Sequence, residues 1–196
     1  LTGFSVSLSL ILAIGAQNAF VLKQGLLRQH VGLVVTICAI TDALLIGVGV
    51  AGIGWMTVEA PWITAALLYG GAAFLFFYGA KSFKSAWLGT SALQVTGAVT
   101  QTWQSAALTC IAVTWLNPHM YLDTVVLIGS VSSQYPGQGL VFWIGAAVAS
   151  AGFFISLGFG ARFLAPWFAS PRAWQILDVF VGCVMWAIAI SLLFTH

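Results

Sequence analysis

Two aspartates, Asp42 and Asp123, stand inside long apolar runs. An Asp at the centre of a spanning helix costs ~2.5–3.5 kcal/mol on insertion scales. A carboxylate kept there is expected to bind a cation or a proton; the plainer reading is a structural pairing with another helix. Asp42 falls eleven residues after Val31, about 16 Å along a helix and so near mid-membrane. Asp123 follows Asn117-Pro118-His119. Pro118 removes a backbone donor and disturbs the helix around Thr114. Carbonyls freed at such a break can coordinate cations, and the half-helix N-terminus beyond it can hold a carboxylate. A zwitterion with a cationic side chain would use both. Gln17 and Asn18 close the first apolar run, where Gly15 permits local unwinding; they read as site residues or as an interfacial polar end. His119 could relay protons, its reference pKa being ~6.5, or be a satisfied buried histidine. Trp115 and Tyr121 could wall a cation, although packing explains them as well. Asp178 reads as an interfacial charge and Glu59, beside Pro61, as an outer-loop helix cap.

Enzyme signatures are missing: the sequence has no HExxH, GxSxG or Walker loop, so no catalysis, cofactor or metal is expected. Cys38, Cys110 and Cys183 lie in apolar segments without metal-ligand spacing and read as small fillers between helices. Any pumping must then draw on an ion gradient or a partner.

The elements that position these residues follow from composition. Of 196 residues 61% are hydrophobic and ten are charged, against the ~49 charges expected of a soluble domain this long; mean hydropathy is +1.04. The expectation is an all-α polytopic membrane protein. A net charge of +2 with no basic run argues against nucleic acid. Six segments are long enough to span: Gly3–Leu22, Val31–Trp55, Trp62–Ala80, Ser105–Val131, Gly139–Ala161 and Trp174–Phe194. The first lacks the basic lead of a signal peptide and reads as a membrane helix; the missing initiator Met points to at least one residue ahead of Leu1. Lys23, Arg28, Lys81, Lys84, Arg162 and Arg172 then all fall on one side, which chance placement would give about 3% of the time. That places both termini in the periplasm. Five spans plus a re-entrant segment is the competing layout.

Trp55, Trp62, Trp87, Trp103, Trp143, Trp167 and Trp174 mark segment ends, and Trp186 reads as packing. Small residues at Gly145/Ala149 and Gly152/Ser156/Gly160, and the cluster Gly47, Gly49, Gly52 and Gly54, suit close helix contacts, either within the chain or in a homodimer. Three spans on each side of a polar stretch imply one transporter domain, 1–196, whose halves 1–84 and 105–196 insert in opposite directions and are joined by a cytoplasmic loop, 85–104. Gln17–Lys23 and Asn117–Asp123 correspond weakly at a spacing of one hundred.

The stretch Gly15-Ala16-Gln17-Asn18-Ala19-Phe20-Val21, followed by Lys23-Gln24-Gly25, resembles the first-span signature of the LysE family of lysine and arginine exporters. Thr114-Trp115-Leu116-Asn117-Pro118-His119, then Tyr121-Leu122-Asp123-Thr124, resembles its fourth-span signature. Ala39-Ile40-Thr41-Asp42 fits its second-span aspartate, and Gly182-Cys183-Val184-Met185-Trp186 its last span. The resemblance covers essentially the whole chain. It implies export of basic L-amino acids across a bacterial inner membrane, driven by the proton or membrane gradient. The family's functional positions match Gln17, Asn18, Asp42, Asn117, Pro118 and Asp123. One departure is Ala16, where the family usually carries Pro, which weakens the expected break in the first span.

The expected mechanism has Asp42 and Asp123 alternately holding the substrate's cation and protons, with lysine or arginine, protons and lipid as the partners. Export of neutral amino acids, and a non-transporting scaffold built on the Gly152 seam, are the alternatives.

Overall fold

Without water at hand, a long apolar segment can satisfy its backbone polar groups within itself only as a helix. The computed structural model describes residues 1–12, 15–51, 61–89, 91, 101–168 and 170–194, with the side chains of 61–68, 118 and 119 outside that description. Among the described residues there is no strand. The elements are α1 (Thr2–Ile11), α2 (Ala16–Leu27), α3 (Val31–Val50), α4 (Pro61–Leu88), α5 (Trp103–Trp115) and α6 (Pro118–Tyr121). A π-helical stretch (Leu122–Leu127), α7 (Ile128–Ser132), α8 (Gly139–Gly160), a 3-10 stretch (Ala161–Phe168) and α9 (Pro171–Phe194) complete the chain.

Three described stretches, Val31–Val50, Gly139–Phe168 and Pro171–Phe194, are each long and apolar enough to cross a membrane; α1 and α2 qualify as a pair bent by 79°. The segment expected as one helix, Gly3–Leu22, is therefore two. Gly15, with extended backbone (φ −103, ψ 176), starts α2, so the chain breaks there even with Ala16 in place of Pro. The fourth expected span breaks as its proline requires: α5 ends at Trp115 and α6 begins at Pro118, because proline disfavours helical geometry in the residue before it. The wider π turn then carries Asp123. Helix α4 continues past the expected end at Ala80 to Leu88. Lysine is a good helix former, and the chain first turns at Gly89, with φ +66. Glu59, Gly52, Gly54 and Trp55 and half of loop 85–104 lie outside the described residues.

The most extensive contacts join α4 to α9, α3 to α8, and α1 to α8. Phe20, Leu75, Phe154, Val181 and Met185 are buried between helices. Leu44, Phe77, Ile155, Phe163 and Ile176 point outward, an apolar exterior that suits lipid and not water. The chain is a multi-pass helical membrane protein.

The small residues divide into two groups. A Cβ on Gly145 would come 3.3 Å from the Phe4 amide of α1, while at Gly152 and Gly160 it would meet open space. The first seam lies within the chain; the Gly152/Ser156/Gly160 stripe faces outward. The tryptophans divide too. Trp87, Trp103 and Trp167 are exposed, whereas the Trp143 indole donates to the Ala43 carbonyl (2.8 Å) and that of Trp174 to Phe168 (2.8 Å). Those two bind neighbouring elements together. Trp186 donates to Phe76 (3.1 Å) and packs against Phe83, as a packing residue should. Cys38 and Cys110, from α3 and α5, bring their sulfurs to 3.5 Å.

Candidate functional site

Asp42 and Ser150 each stand eleven residues into their helices, α3 and α8, and the α3–α8 contact brings them together at mid-bundle. Ser150 Oγ donates to Asp42 Oδ2 at 2.6 Å, and the Gln17 side-chain amide approaches Asp42 Oδ1 at 3.5 Å. The carboxylate is 2% exposed. Its partners are neutral, and among the described residues the ion pair found is Lys23 with Asp178, elsewhere. A buried carboxylate without a cationic partner is costly, and so the site calls for a positive charge: a proton or the cationic group of a ligand.

Asp42 opens onto a cavity of about 170 Å³ whose polar wall is Gln17, Asn18, Asp42, Asn117, Asp123 and Thr124. Gly15 and the apolar Leu10, Ile11, Met120, Ile128, Phe154 and Ile188 form the remainder. The volume is below that of pockets for drug-sized ligands, ~300–1,000 Å³, and suits a small solute. Polar ends beside an apolar wall suit a molecule with charged groups on an aliphatic stem.

The chain breaks build the polar wall. The break ahead of α2 places Gln17 and Asn18 in the first turn of that half-helix, where both line the cavity and Gln17 is 7% exposed. Asn18 Nδ2 donates to the Ile11 carbonyl at 2.7 Å and so satisfies one of the acceptors left free where α1 ends. At the second break Asn117 is 7% exposed and starts the turn that Met120 N closes on its carbonyl at 3.1 Å. The cavity thus joins five of the expected site residues, Gln17, Asn18, Asp42, Asn117 and Asp123.

Pro118 begins α6, and its side chain and that of His119 are outside the description. Trp115 and Tyr121 do not line this cavity. The Trp115 indole reaches Thr41 Oγ1 at 3.4 Å, and the Tyr121 hydroxyl donates to the Trp115 carbonyl at 2.8 Å, so Tyr121 occupies a carbonyl that the break sets free. Sequence reasoning passed over Ser150, although a hydroxyl at the same depth as Asp42 was a legible signal.

The sequence matches the LysE type translocator family over residues 8–196. The chain belongs to the LysE family. It is 40% identical to the arginine exporter protein ArgO of Yersinia enterocolitica over 193 residues, 98% of this chain and 94% of that protein. It is also 40% identical to ArgO of Serratia proteamaculans over the same shares. No solved structure matches the chain.

Within this LysE-family chain, Asp178 is the residue most changed by the structure. Expected as an interfacial charge, it is 1% exposed and meets Lys23 Nζ at 2.6 Å, while Ser85 Oγ donates to its other oxygen at 2.8 Å. Two lone opposite charges near the ends of distant apolar runs were the available signal.

The Asp42–Ser150 bond yields a direct prediction. Ser150→Ala leaves Asp42 Oδ2 without its short donor, and a lost hydrogen bond to a charged group is worth about 1.5–3 kcal/mol. The variant should unfold at a lower temperature in detergent, and its cost should shrink when Asp42 is already Leu. Fully additive costs in the Ser150→Ala/Asp42→Leu pair would show that the two groups are not coupled.

Proposed function

We propose that the protein exports basic L-amino acids, arginine and lysine, across the bacterial inner membrane by alternating access coupled to protons. The observation that carries this reading is Asp42, buried at the bundle centre with neutral partners only and sharing a small cavity with Asp123. Two carboxylates and no described basic residue line that cavity, an arrangement that favours a cation over a neutral solute where water is scarce. The family match and the printed names of the ArgO relatives agree with it.

In the mechanism the substrate's cationic group and protons take turns on Asp42 and Asp123. The amide groups of Gln17, Asn18 and Asn117 and the half-helix ends at the two breaks orient its carboxylate and ammonium. Six crossings in two oppositely inserted halves are part of the proposal. Their support is that each half opens with a broken helix, and that the second and third helices of one half (α3, α4) pack on their counterparts in the other (α8, α9). Rocking of one half against the other around the cavity would alternate its access.

Counterflow in liposomes containing the purified protein tests the proposal. Unlabelled arginine and lysine are expected to drive uptake of labelled arginine, and threonine and leucine are expected to compete at least tenfold less well. Equal competition by leucine would replace the reading with export of neutral amino acids, and absence of counterflow would sink transport itself.

A further inference from the structure

A second cavity, of about 360 Å³, opens at the lysine-bearing end of the bundle, the end that the positive-inside rule assigns to the cytoplasm. Lys23, Lys81 and Lys84, half of the chain's basic residues, border it along with Gln24, Tyr78 and Ser85. Lys23 and Ser85 are the two groups that hold the buried Asp178. Gln24, 2% exposed, donates through its amide nitrogen to Gln101 at 2.8 Å. Its Oε1 is buried with no hydrogen-bond partner among the described residues. An unsatisfied buried acceptor costs free energy, so this oxygen marks a place for a donor from a ligand.

The two cavities lie along one helix. Gln17 lines the first and Gln24 the second. Spacings of three and four residues put Phe20 between them on the same face of α2. Phe20 lines neither cavity, and its ring meets Tyr78 edge to face at 6.2 Å.

We propose that the Lys23–Asp178 pair is the cytoplasmic gate and the first recognition site of the transport path, opened by a ligand that carries both signs of charge. The proposal rests on the basic amino-acid reading given above. Pulling the pair apart alone would strand an uncompensated buried charge, which is strongly destabilising. A zwitterionic amino acid removes that obstacle. Its cationic group replaces Lys23 on Asp178, its carboxylate goes to the released Lys23, and Gln24 Oε1 accepts from its ammonium. One internal ion pair becomes two intermolecular ones, neither Lys23 nor Asp178 is left without a counter-charge, and the third charge of a basic amino acid, its ammonium, rests on the neutral Gln24 oxygen. A cation without a carboxylate can make only half of the exchange. The gate therefore selects amino acids over amines before the substrate passes Phe20 and reaches Asp42.

The test uses the full chain in liposomes of known sidedness, with arginine and its decarboxylated analogue agmatine as probes. On the wild type, agmatine should compete at the cytoplasmic face at least tenfold more weakly than arginine; equal competition overturns the gate. Lys23→Met and Asp178→Asn should each lower export tenfold or more. The double variant Lys23→Met/Asp178→Leu supplies the structural control, because an apolar pair can replace a buried ion pair without loss of stability. It should insert normally and still raise the arginine KM at the cytoplasmic face at least tenfold, with less than twofold change at the opposite face. Should it fail to insert, the uncharged pair Lys23→Gln/Asp178→Asn serves the same purpose. Wild-type kinetics in whichever double variant inserts would reduce the pair to a structural tie. Lack of arginine counterflow by the wild type would instead defeat the export reading on which the gate depends.

Discussion

Replacing Asp42 with Asn is expected to abolish arginine and lysine export while leaving membrane insertion intact. Asn keeps the size of the side chain and an acceptor for the Ser150 hydroxyl, which lies 2.6 Å from Asp42 Oδ2, so the local fold should survive. The negative charge at mid-bundle does not. A central Asp costs ~2.5–3.5 kcal/mol on insertion scales, and a cation that neutralises it recovers energy of that order. At tenfold per 1.4 kcal/mol, cation affinity should fall roughly 100-fold. Counterflow of labelled arginine, normalised to the protein recovered in the liposomes, measures the loss. Normal efflux of both amino acids in this variant would remove Asp42 from the mechanism.

The second large effect is expected from a residue with no side chain. Gly49 of α3 touches the π-helical stretch so closely that a Cβ would lie 2.7 Å from the Thr124 and Val125 carbonyl oxygens and 2.9 Å from the Val125 Cα. On the other side of the contact, a Cβ on Gly129 would lie 2.7 Å from the Gly49 carbonyl. These neighbours are backbone, so one helix has to move. Overpacking of this kind costs about 1–3 kcal/mol. The stretch that must shift carries Asp123 and Thr124, which line the central cavity. Gly49→Ala should therefore lower the unfolding temperature and transport together. Gly152→Ala, where the new Cβ meets open space, should change neither. Thermal unfolding in detergent, paired with counterflow, reads both variants, and unchanged export in Gly49→Ala would show that the cavity tolerates displacement of the π stretch.

Composition alone determined the solvent and the class of fold. Ten charges on 196 residues cannot coat a soluble globule, and apolar runs of spanning length in lipid must be helical. The intramembrane acids were legible as well, because a charge in an apolar run stands out regardless of the fold. The chain break at Pro118 could be read from the missing backbone donor. What the sequence left open was which polar groups meet. The α3–α8 contact pairs Asp42 with Ser150, and the bend between α1 and α2 turns Gln17 and Asn18 from a plausible surface end into a cavity wall. The α2–α9 contact joins Lys23 to Asp178 across 155 positions. Hydrophobic periodicity reports how far along a helix a residue lies and says little about which side faces a neighbour when every side is apolar. Tertiary packing supplied that information, and with it the division between the helix seam at Gly49 and the outward stripe at Gly152.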